Sequence, residues 1–144
     1  MNPEKARQHG VPASFFDRLK WGESYLTKDG QLIENGWVTE PAMRAKSYAY
    51  AADTLFDTRI VDSVRGVDLL YHETTYLKDL SEQAIKRFHS TTAQAATVAQ
   101  QAGVHRLIIG HFSSKYEKLQ SFEQEAREIF PHTDLALEGV TYRI

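Results

Sequence analysis

No cysteine occurs anywhere in the 144 residues of the chain. That excludes disulfide cross-links and thiolate metal sites. Any metal must be held by histidine and carboxylate groups, a donor set that suits zinc or manganese. Charge of one sign is lacking too: 17 lysines and arginines stand against 19 acids, a formal net charge of −2. Nothing global marks the chain as a nucleic-acid binder, although such a balance leaves room for a local basic patch. No apolar run reaches the ~20 residues of a membrane-spanning helix. Met1-Asn2-Pro3-Glu4-Lys5 lacks the apolar core of a secretory signal, so a cytoplasmic location is expected. Repeats, low-complexity tracts and closely spaced histidines (His-x-His, His-x-x-x-His) are also absent. Such histidine clusters are the usual mark of a dinuclear zinc site.

What is present divides into two parts. Residues 1–45 suggest a short polar helix over 3–8 and a second over 15–20 with Ser14 as its cap. A small hairpin follows, turning at Asp29-Gly30, and then a connector over 34–41. Apolar residues show no regular spacing here, so a loosely packed extension is expected. From residue 46 the pattern alternates between strand and helix. Strands are expected over 47–52, 67–71 and 104–109. Helices are expected near 57–64 and over 81–88, 91–102 and 119–130, with short strands over 134–137 and 139–143. The last long helix is amphipathic, with Leu119, Phe122, Ala126 and Ile129 on one face, and Gly103 terminates the helix before it. The fold class is α/β.

Three of these strands end in chemistry-bearing side chains: Asp53, the pair His72-Glu73, and His111. A helix begins just after His89. If the strands lie parallel, these groups share the rim where α/β sheets usually bind ligands. Converging imidazoles and carboxylates could hold a metal and move a proton there. Each also has a structural use. Asp53-Thr54 could cap a helix, His72 could be a buried histidine partnered by Glu73, His89 could serve only to start a helix, and His111 could simply face solvent. On residue types alone both readings stand. His9, His105 and His132 lie in polar surroundings and read as surface residues. Asp53 and His111 are the only ligand candidates, and a catalytic zinc takes three protein ligands.

Four motifs in order resemble ribonuclease Z, the tRNA 3′-processing endonuclease of the metallo-β-lactamase superfamily. Tyr50-Ala51-Ala52-Asp53-Thr54 is similar to that family's GDT strand end, with Ala52 in place of the glycine. Asp68-Leu69-Leu70-Tyr71-His72-Glu73-Thr74-Thr75-Tyr76 is similar to its HEATF motif. His89-Ser90-Thr91-Thr92-Ala93-Gln94-Ala95-Ala96 is similar to its HST–QAA motif. Gly110-His111-Phe112-Ser113-Ser114-Lys115-Tyr116 is similar to its THFSxRY motif. The resemblance covers nearly the whole chain but only the C-terminal half of the family. It implies half of an αβ/βα sandwich over 46–144, preceded by a segment over 1–45 next to the family's tRNA-gripping arm, without the family's Gly-Pro signal.

Roles follow from the same resemblance. Asp53 bridges two zinc ions and His111 ligates one of them. His89 stabilises or protonates the leaving 3′ oxygen, with Glu73 orienting its imidazole. Ser113, Lys115 and Tyr116 contact substrate, Lys115 standing where the family has arginine, which loses a bidentate fork. The implied reaction is metal-hydroxide attack on a phosphodiester of a tRNA precursor, by a homodimer. The family's His-x-His-x-Asp-His motif is not in this sequence. The chain therefore reads as half of an enzyme that awaits an N-terminal half, inactive alone and unable to hold zinc tightly. Its exposed sheet face should make it self-associate. Two alternatives compete: a non-catalytic fragment that binds tRNA or dimerises, and a related phosphodiesterase of the same fold.

Overall fold

The computed structural model describes all residues, 1–144, and the chain divides into two compact units, Met1–Arg44 and Ala45–Ile144. The first unit has a small core of its own. Its elements are α1 (Pro3–Gln8), a 3-10 turn (Ala13–Phe15), α2 (Phe16–Lys20), the hairpin β1 (Tyr25–Leu26) and β2 (Leu32–Ile33), and α3 (Asn35–Val38). Asn2 caps α1, its side-chain oxygen accepting from the Glu4 and Lys5 amides at 3.1 Å, and Pro3 occupies the first helical position. Ala6, Val11, Leu19, Ile33 and Val38 are buried together. This corrects the expected loose extension. It also corrects two details: Ser14 lies inside the 3-10 turn and caps nothing, and the connector contains a turn of helix.

The second unit is a four-stranded, all-parallel sheet in the order β3 (Tyr48–Ala51), β4 (Leu69–Glu73), β5 (Leu107–Gly110), β6 (Thr133–Leu135). Between the strands run α4 (Ile60–Ser63), a 3-10 turn (Lys78–Leu80) with α5 (Ser81–Lys86), α6 (Thr92–Ala102) and α7 (Gln120–Ile129). Side chains alternate along a strand. Ala49, Leu70, Leu107 and Ile109 therefore share one face, and they pack with Ala95, Ala96, Val98 and Ala99 of α6, Phe122 of α7 and Val61 of α4. The small residues of α6 let it lie close on the sheet. No helix is long and apolar enough to cross a membrane.

The opposite face of the sheet carries Tyr48, Tyr50, Leu69, Tyr71 and Ile108. Tyr48 and Tyr50 are 51% and 65% exposed, and the Tyr50 and Tyr71 rings stack at 4.6 Å. Burial raises the Tyr71 phenol to about 12. Its ring lies across Gly110, where an added Cβ would come within 2.5 Å of the phenol oxygen. Glycine is needed there for this close approach. The expected strand over 139–143 does not form. The Tyr142 hydroxyl instead donates to the Leu135 carbonyl and accepts from the Leu137 amide, tying the tail back on itself.

Two features aim the helix that follows His89. Thr91 and Gln94 form a reciprocal capping box at the start of α6. The Thr92 amide donates to the Tyr76 carbonyl at 2.9 Å, fastening that start to the chain leaving β4. Gly103, in the left-handed region at φ 61°, ends the helix.

Candidate active site

The strands are parallel, so their C-terminal ends form one rim, and the rim gathers the side chains named from the sequence. Asp53 follows β3, Glu73 ends β4, His111 follows β5, and His89 lies between α5 and α6. Donor atoms of Asp53, His89 and His111 all lie within 4.8 Å of one another. His111 Nε2 is 3.4 Å from Asp53 Oδ1, and the two imidazole rings are 5.2 Å apart. The group is graded in burial: Glu73 is fully buried, the His89 side chain is 22% exposed and that of Asp53 74%.

Backbone strain concentrates here. Three non-glycine residues have positive φ: Asp53 at 47°, Phe88 at 59° and His111 at 61°. Two of them are the candidate ligands and the third immediately precedes His89. Left-handed backbone is costly for such residues and persists where surrounding contacts enforce it. At Phe88 it reverses the chain after α5, while the His89 amide donates to the Ala84 carbonyl at 2.9 Å. Asp53 and Thr54 cap no helix.

Glu73 is the hub. Its Oε1 accepts from His89 Nδ1 at 2.9 Å, the Ser90 amide at 3.1 Å and the Thr54 amide at 3.2 Å. Its Oε2 accepts from the Thr75 amide at 3.0 Å and the Thr75 hydroxyl at 2.9 Å. A carboxylate only accepts, so His89 must carry its proton on Nδ1. The Thr75 hydroxyl spends its hydrogen on Glu73, so at 2.9 Å it accepts from His111 Nδ1–H. One buried carboxylate thereby sets both tautomers and leaves both Nε2 lone pairs free. His111 presents its Nε2 to Asp53. Such outer contacts orient metal-binding imidazoles in general.

An imidazole Nε2 beside a carboxylate, with a second free Nε2 close by, suits a hard or borderline divalent ion. The residues fit a metal, and the three donors include a histidine, His89, to which the family resemblance gives proton handling. His72 belongs to the fold. It is fully buried, its Nδ1 donates to the Glu73 carbonyl at 2.8 Å, its Nε2 has no partner, and burial holds its imidazole below the usual range. His9, His105 and His132 are exposed.

Of the three substrate-contact candidates, Ser113 and Lys115 line a cavity of about 420 Å³ that opens beside Tyr76, whose ring is 6.3 Å from that of His89. Tyr116 is committed to the fold: its ring packs on Phe122 and its hydroxyl accepts from the Leu77 amide at 3.3 Å. Thr75 was missed from the sequence. The signal was there: residues 73 and 75 fall on the same side of an extended chain.

No family model matches the chain. Curated relatives do. It is 43% identical over 130 residues to ribonuclease Z of Parabacteroides distasonis, covering 90% of this chain and 43% of that protein. It is 39% identical over 138 residues to ribonuclease Z of Porphyromonas gingivalis, covering 96% and 45%. The metallo-β-lactamase fold protein YhfI of Bacillus subtilis superposes with a TM-score of 0.61 at 21% identity, over 65% of this chain and 38% of that one, a likeness of fold. In sequence the chain is similar to ribonuclease Z proteins, of which it spans somewhat less than half the length, and in fold it is similar to a metallo-β-lactamase fold protein.

Proposed function

We propose that this chain contributes part of the active site of a zinc-dependent endoribonuclease that removes the 3′ trailer of tRNA precursors. The observation that carries the reading is the buried Glu73–His89 pair set beside Asp53 and His111. A proton-handling imidazole next to a metal-binding pair is what phosphodiester hydrolysis asks for. Asp53 and His111 would hold the ion. A bound divalent ion supplies Lewis acidity toward a phosphoryl oxygen and lowers the pKa of a water molecule.

The chain's own residues do the rest. Water gives up a proton to solvent as its oxygen bonds to phosphorus, and the P–O3′ bond breaks. Protonated His89 gives its Nε2 proton to the departing 3′ oxygen, leaving a 3′ hydroxyl on the tRNA and the phosphate on the trailer. Glu73 holds the imidazole in place during that transfer and stabilises its cationic form. Ser113 and Lys115 contact the RNA backbone beside the cleaved bond. Two ligands do not complete a catalytic zinc site, so the remaining ones come from a segment bearing His-x-His-x-Asp-His, and the chain alone is inactive. A tRNA precursor in the cytoplasm and a second protomer are the partners in this reading.

The test is cleavage of a tRNA precursor in zinc, first by the chain alone and then with a protein segment that carries the His-x-His-x-Asp-His motif. The expected result is no product alone and a 3′-hydroxyl tRNA after mixing, reduced about 10²–10⁴-fold by His89→Ala. Zinc-dependent cleavage by the chain alone, or indifference of the mixed system to His89, would overturn the proposal.

A further inference from the structure

We propose that the cavity between α5 and the loop over residues 112–116 is a second phosphate pocket, holding the RNA nucleotide next to the cleaved bond. This rests on the RNA-cleaving reading above and adds Arg87 and Gln83 to the substrate contacts. The cavity, about 420 Å³, is lined by Tyr76, Leu80, Gln83, Arg87, Ser113 and Lys115. That volume lies within the range of small-ligand sites, and no acidic side chain lines it.

What sets its two cations apart is that they line one cavity with no acid in it. Arg18, Arg59, Arg65, Arg106 and Arg127 each sit on a carboxylate. Arg87 and Lys115 have no carboxylate within ion-pair distance, yet they line one cavity. Unpaired cations with no acid between them attract an anion. The Lys115 ammonium is held 5.6 Å from the Tyr76 ring centroid and 4.7 Å from that of Tyr116, contacts that restrict it before any ligand arrives. The Arg87 guanidinium can grip a phosphate with two parallel hydrogen bonds. The Ser113 hydroxyl and the Gln83 amide add neutral donors, and Leu80 and Tyr76 offer an apolar wall to a sugar or base.

Position ties the pocket to the chemistry. The Tyr76 ring forms one wall and is 6.3 Å from the His89 ring. Arg87 is two residues before His89. Its amide is held by the Gln83 and Ala84 carbonyls, and the His89 amide by the Ala84 carbonyl. The end of α5 therefore fixes the phosphate grip and the proton donor relative to one another. An RNA strand with one phosphate at His89 has its neighbour within reach of this pocket.

The test is fluorescence anisotropy of a short single-stranded RNA with the 144-residue chain, in a chelator so that nothing is cut, across a series of salt concentrations. Arg87→Ala should weaken binding about 10-fold and lower the log–log salt slope by about 0.7, the value of one lost phosphate contact on a single strand. Gln83→Glu, which sets a negative charge in the pocket and keeps helix propensity, should weaken binding comparably. Arg65→Ala, on a guanidinium already paired with Asp62, should change neither quantity. If Lys115→Ala lowers affinity while Arg87→Ala and Gln83→Glu match the wild type, the pocket is refuted and the RNA reading survives. If the wild-type chain binds no RNA, both fail.

Discussion

Replacing Glu73 by glutamine changes almost no volume, so its effects report on hydrogen bonding. All five partners of the carboxylate donate to it. Glutamine offers one oxygen and one amino group. With the oxygen on the Oε1 side, the amides of Thr54 and Ser90 and His89 Nδ1–H keep their acceptor. The amino group then faces the buried Thr75 amide, which loses its partner at a cost of about 1–3 kcal/mol. The Thr75 hydroxyl must turn to accept from the new amino group. Its hydrogen then goes to its remaining partner, His111 Nδ1. The His111 proton moves to Nε2, the nitrogen that faces Asp53. Nitrogen-15 NMR of the imidazoles distinguishes the tautomers. Wild-type His89 and His111 should both carry the proton on Nδ1. In Glu73→Gln, His89 should keep it there and His111 should switch, with weaker divalent-ion binding and a lower melting temperature. A His111 that keeps its Nδ1 proton in the variant, or carries it on Nε2 in the wild type, would refute the relay.

Other outcomes follow from separate parts of the molecule. Gly110→Ala sets a methyl group 2.5 Å from the Tyr71 phenol oxygen and 2.9 Å from its ring, and should cost about 1–3 kcal/mol by overpacking in chemical denaturation. His72 has its pKa lowered from the ordinary 6.5 by burial. Below about pH 6.5 the unfolded chain takes up a proton that the folded chain refuses, so stability falls with pH by up to about 1.4 kcal/mol per pH unit. His72→Leu should flatten that part of the acid limb in urea titrations. Thr91→Ala removes the capping box of α6 and should lower stability by about 1 kcal/mol in the same assay. The exposed tyrosine face should make sedimentation of the chain concentration-dependent, and Tyr50→Lys should reduce that dependence.

The parallel sheet was legible because apolar runs near 69–71 and 107–109 are followed by polar strand ends. Their order placed Asp53, Glu73 and His111 on one rim. The bounds of α6 were legible from Thr91 and Gly103. The core of the first unit was not. Its five buried residues come one at a time from separate elements and connecting turns, so no single stretch is long enough to show a period. The last strand was misread because Tyr142, an ordinary strand residue, spends its hydroxyl on the Leu135 carbonyl and the Leu137 amide. The left-handed backbone at Asp53, Phe88 and His111 leaves no mark in composition, since glycine is the residue that signals such φ values. The Thr75–His111 contact spans 36 residues, and only the assembled sheet brings those two side chains together.

In the proposed mechanism the two rim histidines do different work: His111 binds the ion and His89 moves the proton. Both lie within reach of one ion, so zinc titrations of the chain, followed by the imidazole NMR signals, decide the matter. Asp53→Asn and His111→Ala should each weaken zinc binding more than about 10-fold, while His89→Ala should leave it within about 2-fold of the wild type, a difference below roughly 0.5 kcal/mol. A loss of zinc affinity in His89→Ala as large as that in His111→Ala would contradict that mechanism and make His89 a third ligand.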